Sequence, residues 1–212
     1  MMRLRSVVAP IAFLGGLGAC WPTGNDVATD TSAAAAAPMG ATTAAIATPQ
    51  PMPTADMRIE VDLAARELRV ITGGTTSATY PVAVGSEKWP TQTGEWKITQ
   101  AVWNPEWVPP DESWAEEREP RKPGDPKNPL GRAQLVYDPP RSIHGTNDRS
   151  SIGKAVSHGS IRVTNDVATK LAREVMEAGG APKDEAWYTR VQQNRSEKQI
   201  VDLPQPVTIR VF

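Results

Sequence analysis

From residue 57 onward, polar and apolar residues alternate repeatedly, and this alternation constrains the chain to a β-rich fold. Residues 58–63 (Arg-Ile-Glu-Val-Asp-Leu) alternate strictly, and residues 67–71 continue the pattern after a short turn, as in a hairpin. Successive side chains of a strand point to opposite faces, so this pattern buries one face and leaves the other in water. Further strands are expected at residues 78–85, 95–103, 133–137 and 207–211.

Helical periodicity is clear in only one segment. Apolar residues recur at helical spacing across residues 167–176, and Gly179 ends the pattern. Thr164 or Asn165 can cap this helix. A second helix is expected at residues 184–193. The fold class is therefore mainly β, a mostly antiparallel sandwich or barrel with one or two flanking helices.

The composition argues against several classes of function. The net charge is -1, and Lys and Arg are interspersed with Asp and Glu, so there is no basic stripe for nucleic acid. Two histidines and one distant cysteine argue against a zinc site, and no glycine-rich phosphate loop is present. We expect no nucleic-acid partner, no metal and no nucleotide cofactor.

The N-terminus has the pattern of an export signal. Two arginines precede a short apolar run at residues 7–17, which is too short to cross a bilayer. The run leads into Leu-Gly-Ala-Cys, which resembles the lipobox of bacterial lipoproteins. That resemblance implies a signal peptide at residues 1–19 and lipidation of Cys20. The alternative is an ordinary signal peptide cut near Ala19, with Cys20 as an incidental thiol.

Residues 20–56 are expected to form a tether rather than a domain. They contain an alanine run at residues 33–37, a proline alternation at residues 48–53 and few large apolar side chains. Such a segment cannot bury enough apolar surface to offset the entropy lost on ordering. The expected arrangement is a folded domain at residues 57–212, held away from a membrane by a flexible chain.

The residues suited to chemistry are concentrated around Ser160. An acyl-transfer site needs a nucleophile, a base and hydrogen-bond donors for the oxyanion. Ser160 supplies a hydroxyl, His144 a possible base, and the amides of Gly159 and Ser160 possible donors. Arg162 carries a guanidinium suited to a carboxylate. The alternative is that His144 and His158 are core or turn residues satisfied by backbone hydrogen bonds.

The spacing of these residues resembles a known family signature. His144-Gly145-Thr146, followed by Ser-His-Gly-Ser-Ile-Arg at residues 157–162, resembles the active-site motif of L,D-transpeptidases, the YkuD-type catalytic domain. That family carries a cysteine at the position of Ser160. Other segments that resemble the family are residues 80–85, 89–98, 104–110 and 128–131. Together they extend the resemblance over residues 57–212.

The resemblance implies a substrate and a set of roles. Members of the family attack the bond between the diamino acid and the terminal D-residue of a peptidoglycan tetrapeptide stem. They pass the acyl group to an amine of another stem or of a lipoprotein. By position, His144 is the base, Ser160 the nucleophile and Arg162 a contact for a substrate carboxylate. The remaining positions are His158, which supports catalysis, and the substrate contacts Gly145, Thr146, Ser157 and Gly159.

The resemblance also implies a cellular context. Together with the lipobox-like N-terminus, it predicts a monomeric, exported protein of the cell envelope or periplasm that acts in cell-wall organisation and is attached to a membrane through Cys20. It implies no metal or organic cofactor. The long loop at residues 107–130 would lie over or beside the substrate groove as a lid.

Serine at the nucleophile position leaves three alternatives open. A hydroxyl must lose its proton during attack, and serine hydrolases orient the histidine base with a carboxylate. Asp138 and Asp148 are near enough in sequence to His144 to be candidates. The first alternative is an active enzyme that uses Ser160, and the second is a non-catalytic relative that binds stems and tethers the envelope to the wall. The third is an altered or misread cysteine codon.

Overall fold

The computed structural model describes residues 56–212; the predicted signal peptide, Cys20 and the tether up to residue 55 lie outside the described residues. The strands are β1 (Met57–Asp62), β2 (Glu67–Thr72), β3 (Thr75–Pro81), β4 (Val84–Gly85), β5 (Gly94–Trp103), β6 (Ala133–Asp138), β7 (Arg141–Thr146), β8 (Ala155–Ser157), β9 (Ile161–Thr164) and β10 (Gln199–Val211). The helices are α1 (Asn165–Ala178) and α2 (Glu185–Gln193).

Eight strands form one sheet in the order β3-β2-β1-β10-β5-β6-β7-β9. Most neighbours are antiparallel, while β1 with β10 and β7 with β9 run parallel. Ala83, which follows edge strand β3, exchanges two backbone hydrogen bonds with Arg162 of the opposite edge strand β9, at 2.9 and 2.8 Å. The sheet is therefore nearly closed, and the expected mainly β fold with two flanking helices is confirmed.

The alternating segments form strands where they were expected. In β1, Ile59 and Val61 point into the core, and in β2 Leu68 and Val70 do the same. The segment predicted as a single strand at 78–85 is divided, because the chain leaves β2 after Pro81 and turns to pair with β9 and β8. The last strand begins earlier than predicted, since its pairing with β5 continues across an irregularity between Asp202 and Val207.

The two helices are capped as their sequences suggest. The Thr164 hydroxyl accepts a hydrogen bond from the Val167 amide at 3.4 Å, so Thr164 rather than Asn165 caps α1. Asp184 caps α2 by accepting from the Trp187 amide at 2.7 Å. The apolar face of α1, including Leu171, packs into the core against the sheet. Within residues 56–212, neither helix is long and apolar enough to cross a bilayer.

The loop between β5 and β6, residues 104–132, is named the cover loop here. Asn104 anchors its start, because its side-chain amide donates to the Val191 carbonyl at 2.8 Å. Asn128, also buried, donates to the Pro105 carbonyl at 2.8 Å near the other end. Trp107 and Arg121 bridge the loop with two backbone hydrogen bonds. These contacts give the cover loop a defined shape without regular secondary structure.

Candidate active site

A cavity of about 390 Å³ lies between the cover loop and the segment that carries Ser160. Five of the residues singled out from the sequence line it: His144, Ser157, His158, Ser160 and Arg162. β7 contributes His144, β9 contributes Arg162, and the turn between β8 and β9 contributes His158 and Ser160. Because β7 and β9 pair in parallel with His144 opposite Arg162, the sheet itself brings these two side chains together.

The turn that carries Ser160 is held by its own side chains. The Ser157 hydroxyl donates to the Ser160 carbonyl at 2.5 Å and accepts from the Gly159 amide at 3.2 Å. Gly159 has a φ of 98°, a left-handed conformation that favours glycine. A β-carbon there would also lie 3.3 Å from Cδ of Arg141. Ser157 and Gly159 therefore shape the turn that presents Ser160 to the cavity.

The surroundings of Ser160 provide hydrogen-bond donors. The Ser142 amide points at Oγ of Ser160 from 3.3 Å. The Gly159 amide, a candidate oxyanion donor from the sequence, donates to Oγ of Ser157 at 3.2 Å. Within residues 56–212 the Ser160 amide has no hydrogen-bond acceptor, which leaves it free for an oxyanion.

His144 is buried, with 5% of its surface exposed, and its ring is oriented by the backbone. Nδ1 lies 2.7 Å from the Gly145 carbonyl oxygen. Since a carbonyl only accepts, Nδ1 carries the proton and Nε2 is the nitrogen left for proton transfer. Burial lowers the pKa of His144 to about 4; the hydrogen bond to Gly145 opposes this shift and the charge of Arg162 adds to it. The imidazole is therefore neutral at pH 7.

The two aspartates considered as partners for His144 are engaged elsewhere. Asp138 accepts from Nε of Arg141 at 2.9 Å. Asp148 accepts from the amide and the hydroxyl of Ser150, at 3.1 and 2.6 Å. In the part of the chain that the structure describes, no carboxylate hydrogen-bonds to His144. The imidazole of His144 is oriented by a neutral carbonyl rather than by a negatively charged group.

Arg162 presents an unpaired guanidinium to the cavity. Its backbone hydrogen-bonds to that of Ala83, and its side chain is half-buried. No carboxylate within residues 56–212 lies within 4.0 Å of its guanidinium. Burial lowers the pKa of Arg162, the charge of Asp148 opposes this and that of Arg118 adds to it. The guanidinium remains charged at neutral pH and is available to an anionic group of a ligand.

His158 contacts two indole rings and makes no hydrogen bond to Ser160. Its ring centroid is 3.9 Å from that of Trp114, with the planes inclined by 16°, and 4.5 Å from that of Trp89. Partial burial and the charge of Arg162 lower its pKa. This position suits a residue that supports the turn next to Ser160. Sequence reasoning missed Trp89 and Trp114, because stacking across distant segments has no local signal.

Gly145 and Thr146 do not line the cavity. A β-carbon on Gly145 would lie 2.3 Å from Oδ1 of Asn165, an atom that accepts from the Arg132 amide at 2.9 Å. The buried Thr146 hydroxyl accepts from the Asp148 amide at 3.1 Å. In the structure these two residues make local contacts that hold β7, and with it His144, in place, and the substrate contacts inferred for them by position stay a prediction. Asn165 joins the end of the cover loop to α1, a contact that its sequence position after Arg162 and its suitability as a helix cap did not predict.

Among residues 56–212, no group of three or more His, Cys, Asp and Glu side chains is arranged to hold a metal ion.

Comparison with known proteins places the chain in a family. The sequence model of the YkuD L,D-transpeptidase catalytic domain matches residues 56–197. YqjB of Bacillus subtilis, which bears the name L,D-transpeptidase, is 31% identical over 131 residues, covering 59% of this chain and 69% of YqjB. YkuD of Bacillus licheniformis, of the same designation, is 36% identical over 120 residues, covering 56% of this chain and 60% of YkuD.

A solved structure of an L,D-transpeptidase from Mycobacterium smegmatis superimposes with a TM-score of 0.47 and 17% identity, covering 74% of this chain and 59% of that one. The family assignment rests on the sequence model, which spans more than half of the chain. The chain therefore belongs to the YkuD family of L,D-transpeptidase catalytic domains.

Proposed function

We propose that the domain acts on peptidoglycan tetrapeptide stems by acyl transfer, with Ser160 as the nucleophile and His144 as the base. The observation that carries the proposal is that Ser160, His144 and Arg162 line one cavity. A hydroxyl, a neutral imidazole with Nε2 unprotonated and a guanidinium for a substrate carboxylate are the groups that this reaction needs.

The proposed reaction consists of two acyl transfers, the first from the stem to Ser160 and the second from Ser160 to an amine. Oγ of Ser160 gives its proton to Nε2 of His144 and attacks the carbonyl of the diamino acid, while the Ser160 amide stabilises the oxyanion. The C–N bond to the terminal D-residue then breaks, and the departing amine takes the proton from His144. An amine of a second stem attacks the Ser160 ester, returns a proton through His144 and releases Ser160.

The proposed serine reaction is slow. A base with a pKa of about 4 has little affinity for the Ser160 proton, and no carboxylate within residues 56–212 stabilises the imidazolium that forms. Each tenfold loss in rate corresponds to about 1.4 kcal/mol of barrier. We expect the serine to reduce the rate by several orders of magnitude relative to a cysteine at the same position.

The second candidate function is binding without catalysis, in which the cavity holds a stem and tethers the envelope to the wall. It is favoured by the engagement of Asp138 with Arg141 and of Asp148 with Ser150, which leaves His144 without a hydrogen-bonded carboxylate among residues 56–212. Both functions use the same cavity and the same contact between Arg162 and a carboxylate. They differ only in whether Ser160 forms an ester.

Mass spectrometry of the full chain incubated with a tetrapeptide-bearing muropeptide distinguishes the two. An acyl adduct or cross-linked product from the wild type, absent from Ser160→Ala, supports the serine enzyme and contradicts the tether. Product only from Ser160→Cys supports the tether and eliminates the serine nucleophile. Weaker stem binding in Arg162→Gln supports the shared site, whereas unchanged binding contradicts it.

We propose further that the protein works as a monomer attached to a membrane of the cell envelope through lipid on Cys20. The support is the sequence alone, namely the apolar run at residues 7–17 and the lipobox-like Leu-Gly-Ala-Cys. Labelling with a radioactive fatty acid and membrane fractionation test this proposal. We expect the label and the membrane association to be lost in Cys20→Ser; an unlabelled wild type would contradict the proposal.

A further inference from the structure

The cavity carries more positive than negative charge. Arg118, Arg141, Arg162 and Lys198 line it, against the carboxylates of Glu106 and Glu112. Arg141 is paired with Asp138 at 2.9 Å, and Lys198 with Glu106 at 3.3 Å. In the described part of the chain, Arg118 and Arg162 have no carboxylate within 4.0 Å. The cavity therefore contains two guanidiniums without an anionic partner.

Arg118 belongs to the cover loop and lines the cavity with an exposed side chain. Its amide donates to the carbonyl of the buried Ala115 at 2.9 Å, which closes a tight turn. Its guanidinium lies 5.7 Å from the ring centroid of Trp114, the indole that stacks on His158. Glu112, the nearest acidic residue along the loop that lines the cavity, is instead engaged by the Trp114 indole N–H at 2.7 Å.

Arg118 and Arg162 face the same cavity. The charge of Arg118 contributes to lowering the pKa of Arg162, and both charges lower the pKa of His158. Two like charges facing one cavity repel each other, and an anion between them relieves that repulsion. One guanidinium comes from β9 and the other from the cover loop, so such an anion also joins the loop to the sheet.

We propose that Arg118 and Arg162 form a subsite for a ligand with two carboxylates, Arg162 binding one of them and Arg118 the other. Planar guanidiniums suit carboxylates because both groups present two parallel hydrogen-bonding positions. Arg118 is then a residue that determines specificity, selecting an acidic ligand over an otherwise identical amide.

This inference rests on the proposed function for the identity of the ligand. A tetrapeptide stem carries its terminal carboxylate and further carboxylates, one on its second residue and one on the diamino acid where that residue is diaminopimelate. Amidation removes the charge of either without changing the length of the peptide. The stem chosen by this site is therefore one that retains a free carboxylate besides the terminal one.

Calorimetric titration tests the subsite in the full chain carrying Ser160→Ala, which prevents turnover. The probes are three synthetic tetrapeptides: one with all carboxylates free, one amidated at the diamino acid and one amidated at the second residue. We expect the peptide with all carboxylates free to bind about tenfold more tightly than one of the two amidated peptides. The position amidated in the weaker-binding peptide then shows which carboxylate Arg118 binds. We expect Arg118→Gln to remove this difference and Arg118→Lys to retain part of it.

Lys127→Gln is the matched control, because Lys127 is an exposed cation of the same loop that does not line the cavity. Lys127→Gln should retain the tenfold difference in affinity between the free and the amidated peptide. If Lys127→Gln removes that difference as Arg118→Gln does, only the net charge of the loop matters and the subsite is overturned. If all three peptides bind equally and Arg118→Gln has no effect, the subsite is wrong while the proposed function stands. If none of the peptides binds, the proposed function itself fails.

Discussion

The indole of Trp114 stacks on the imidazole of His158, with ring centroids 3.9 Å apart. Trp114 belongs to the cover loop, and His158 lies two positions before Ser160 in the chain. Trp89 contacts the imidazole as well, with a centroid distance of 4.5 Å. The stacking therefore attaches the cover loop to the turn that carries Ser160.

Replacing Trp114 with alanine should loosen the cover loop. An aromatic pair contributes about 1 kcal/mol beyond the area it buries, so we expect the free energy of unfolding to fall by at least about that amount. Amide hydrogen exchange in residues 104–132 should become faster, while β1 and β2 keep their protection. Trp114→Phe, which retains a ring that can stack, should behave nearly as the wild type. Unchanged exchange in Trp114→Ala would mean that other contacts hold the loop.

Stability should decrease in mild acid because His144 is buried in its neutral form. Its pKa is about 4 in the folded protein and about 6.5 in the unfolded chain. Between these values the unfolded state binds more protons, so stability is full above about pH 6.5 and falls as the pH approaches 4. Denaturant titration should show a loss of about 2 kcal/mol at pH 5 relative to pH 7.5 from this residue.

His144→Gln is the control for that measurement. The variant is less stable at neutral pH because it alters a buried site, but its stability should depend less on pH between 7.5 and 5. His158 also has a lowered pKa and stays in both proteins, so its contribution cancels in the comparison. An identical pH dependence in the wild type and the variant would show that His144 is not buried neutral.

The pKa of His144 also sets the pH below which the rate of any acylation by Ser160 falls. A base with a pKa of about 4 remains deprotonated through neutral pH, so the acylation rate should be flat from pH 7 down to about 5. The rate should then fall with an apparent pKa near 4. Single-turnover acylation measured by mass spectrometry over this range checks the expectation. A midpoint near 6.5 would assign the base to an exposed imidazole instead.

Gly145 should tolerate no β-carbon while Asn165 is present. Gly145→Ala places that carbon 2.3 Å from Oδ1 of Asn165, and we expect a loss of about 3 kcal/mol in the free energy of unfolding. In an Asn165→Ala background the main clash is absent, although the Arg132 amide remains 3.2 Å away. A double-mutant cycle should therefore show a smaller cost of Gly145→Ala in that background. If Gly145→Ala costs the same free energy of unfolding in both backgrounds, the strain does not come from the contact with Asn165.

Sequence patterns predicted strands best where one face of the strand is buried and the other is exposed to solvent. β1 and β2 have this alternation and were placed within a residue or two. β7, which carries His144, was not predicted, because residues 142–146 are all buried and leave no period of two. The capping residues Thr164 and Asp184 could be predicted from the sequence, because a cap bonds to an amide only three positions further along the chain.

The sequence by itself determined the family, the fold class and the identity of Ser160, His144 and Arg162 as candidate site residues, because motif spacing and alternation are local properties. Tertiary structure decided what each of these residues contacts. His144 is oriented by the Gly145 carbonyl, while Asp138 and Asp148 bond to other partners. Such partnerships, like that of Trp114 with His158, join segments whose proximity depends on the path of the whole sheet, and no local pattern encodes that path.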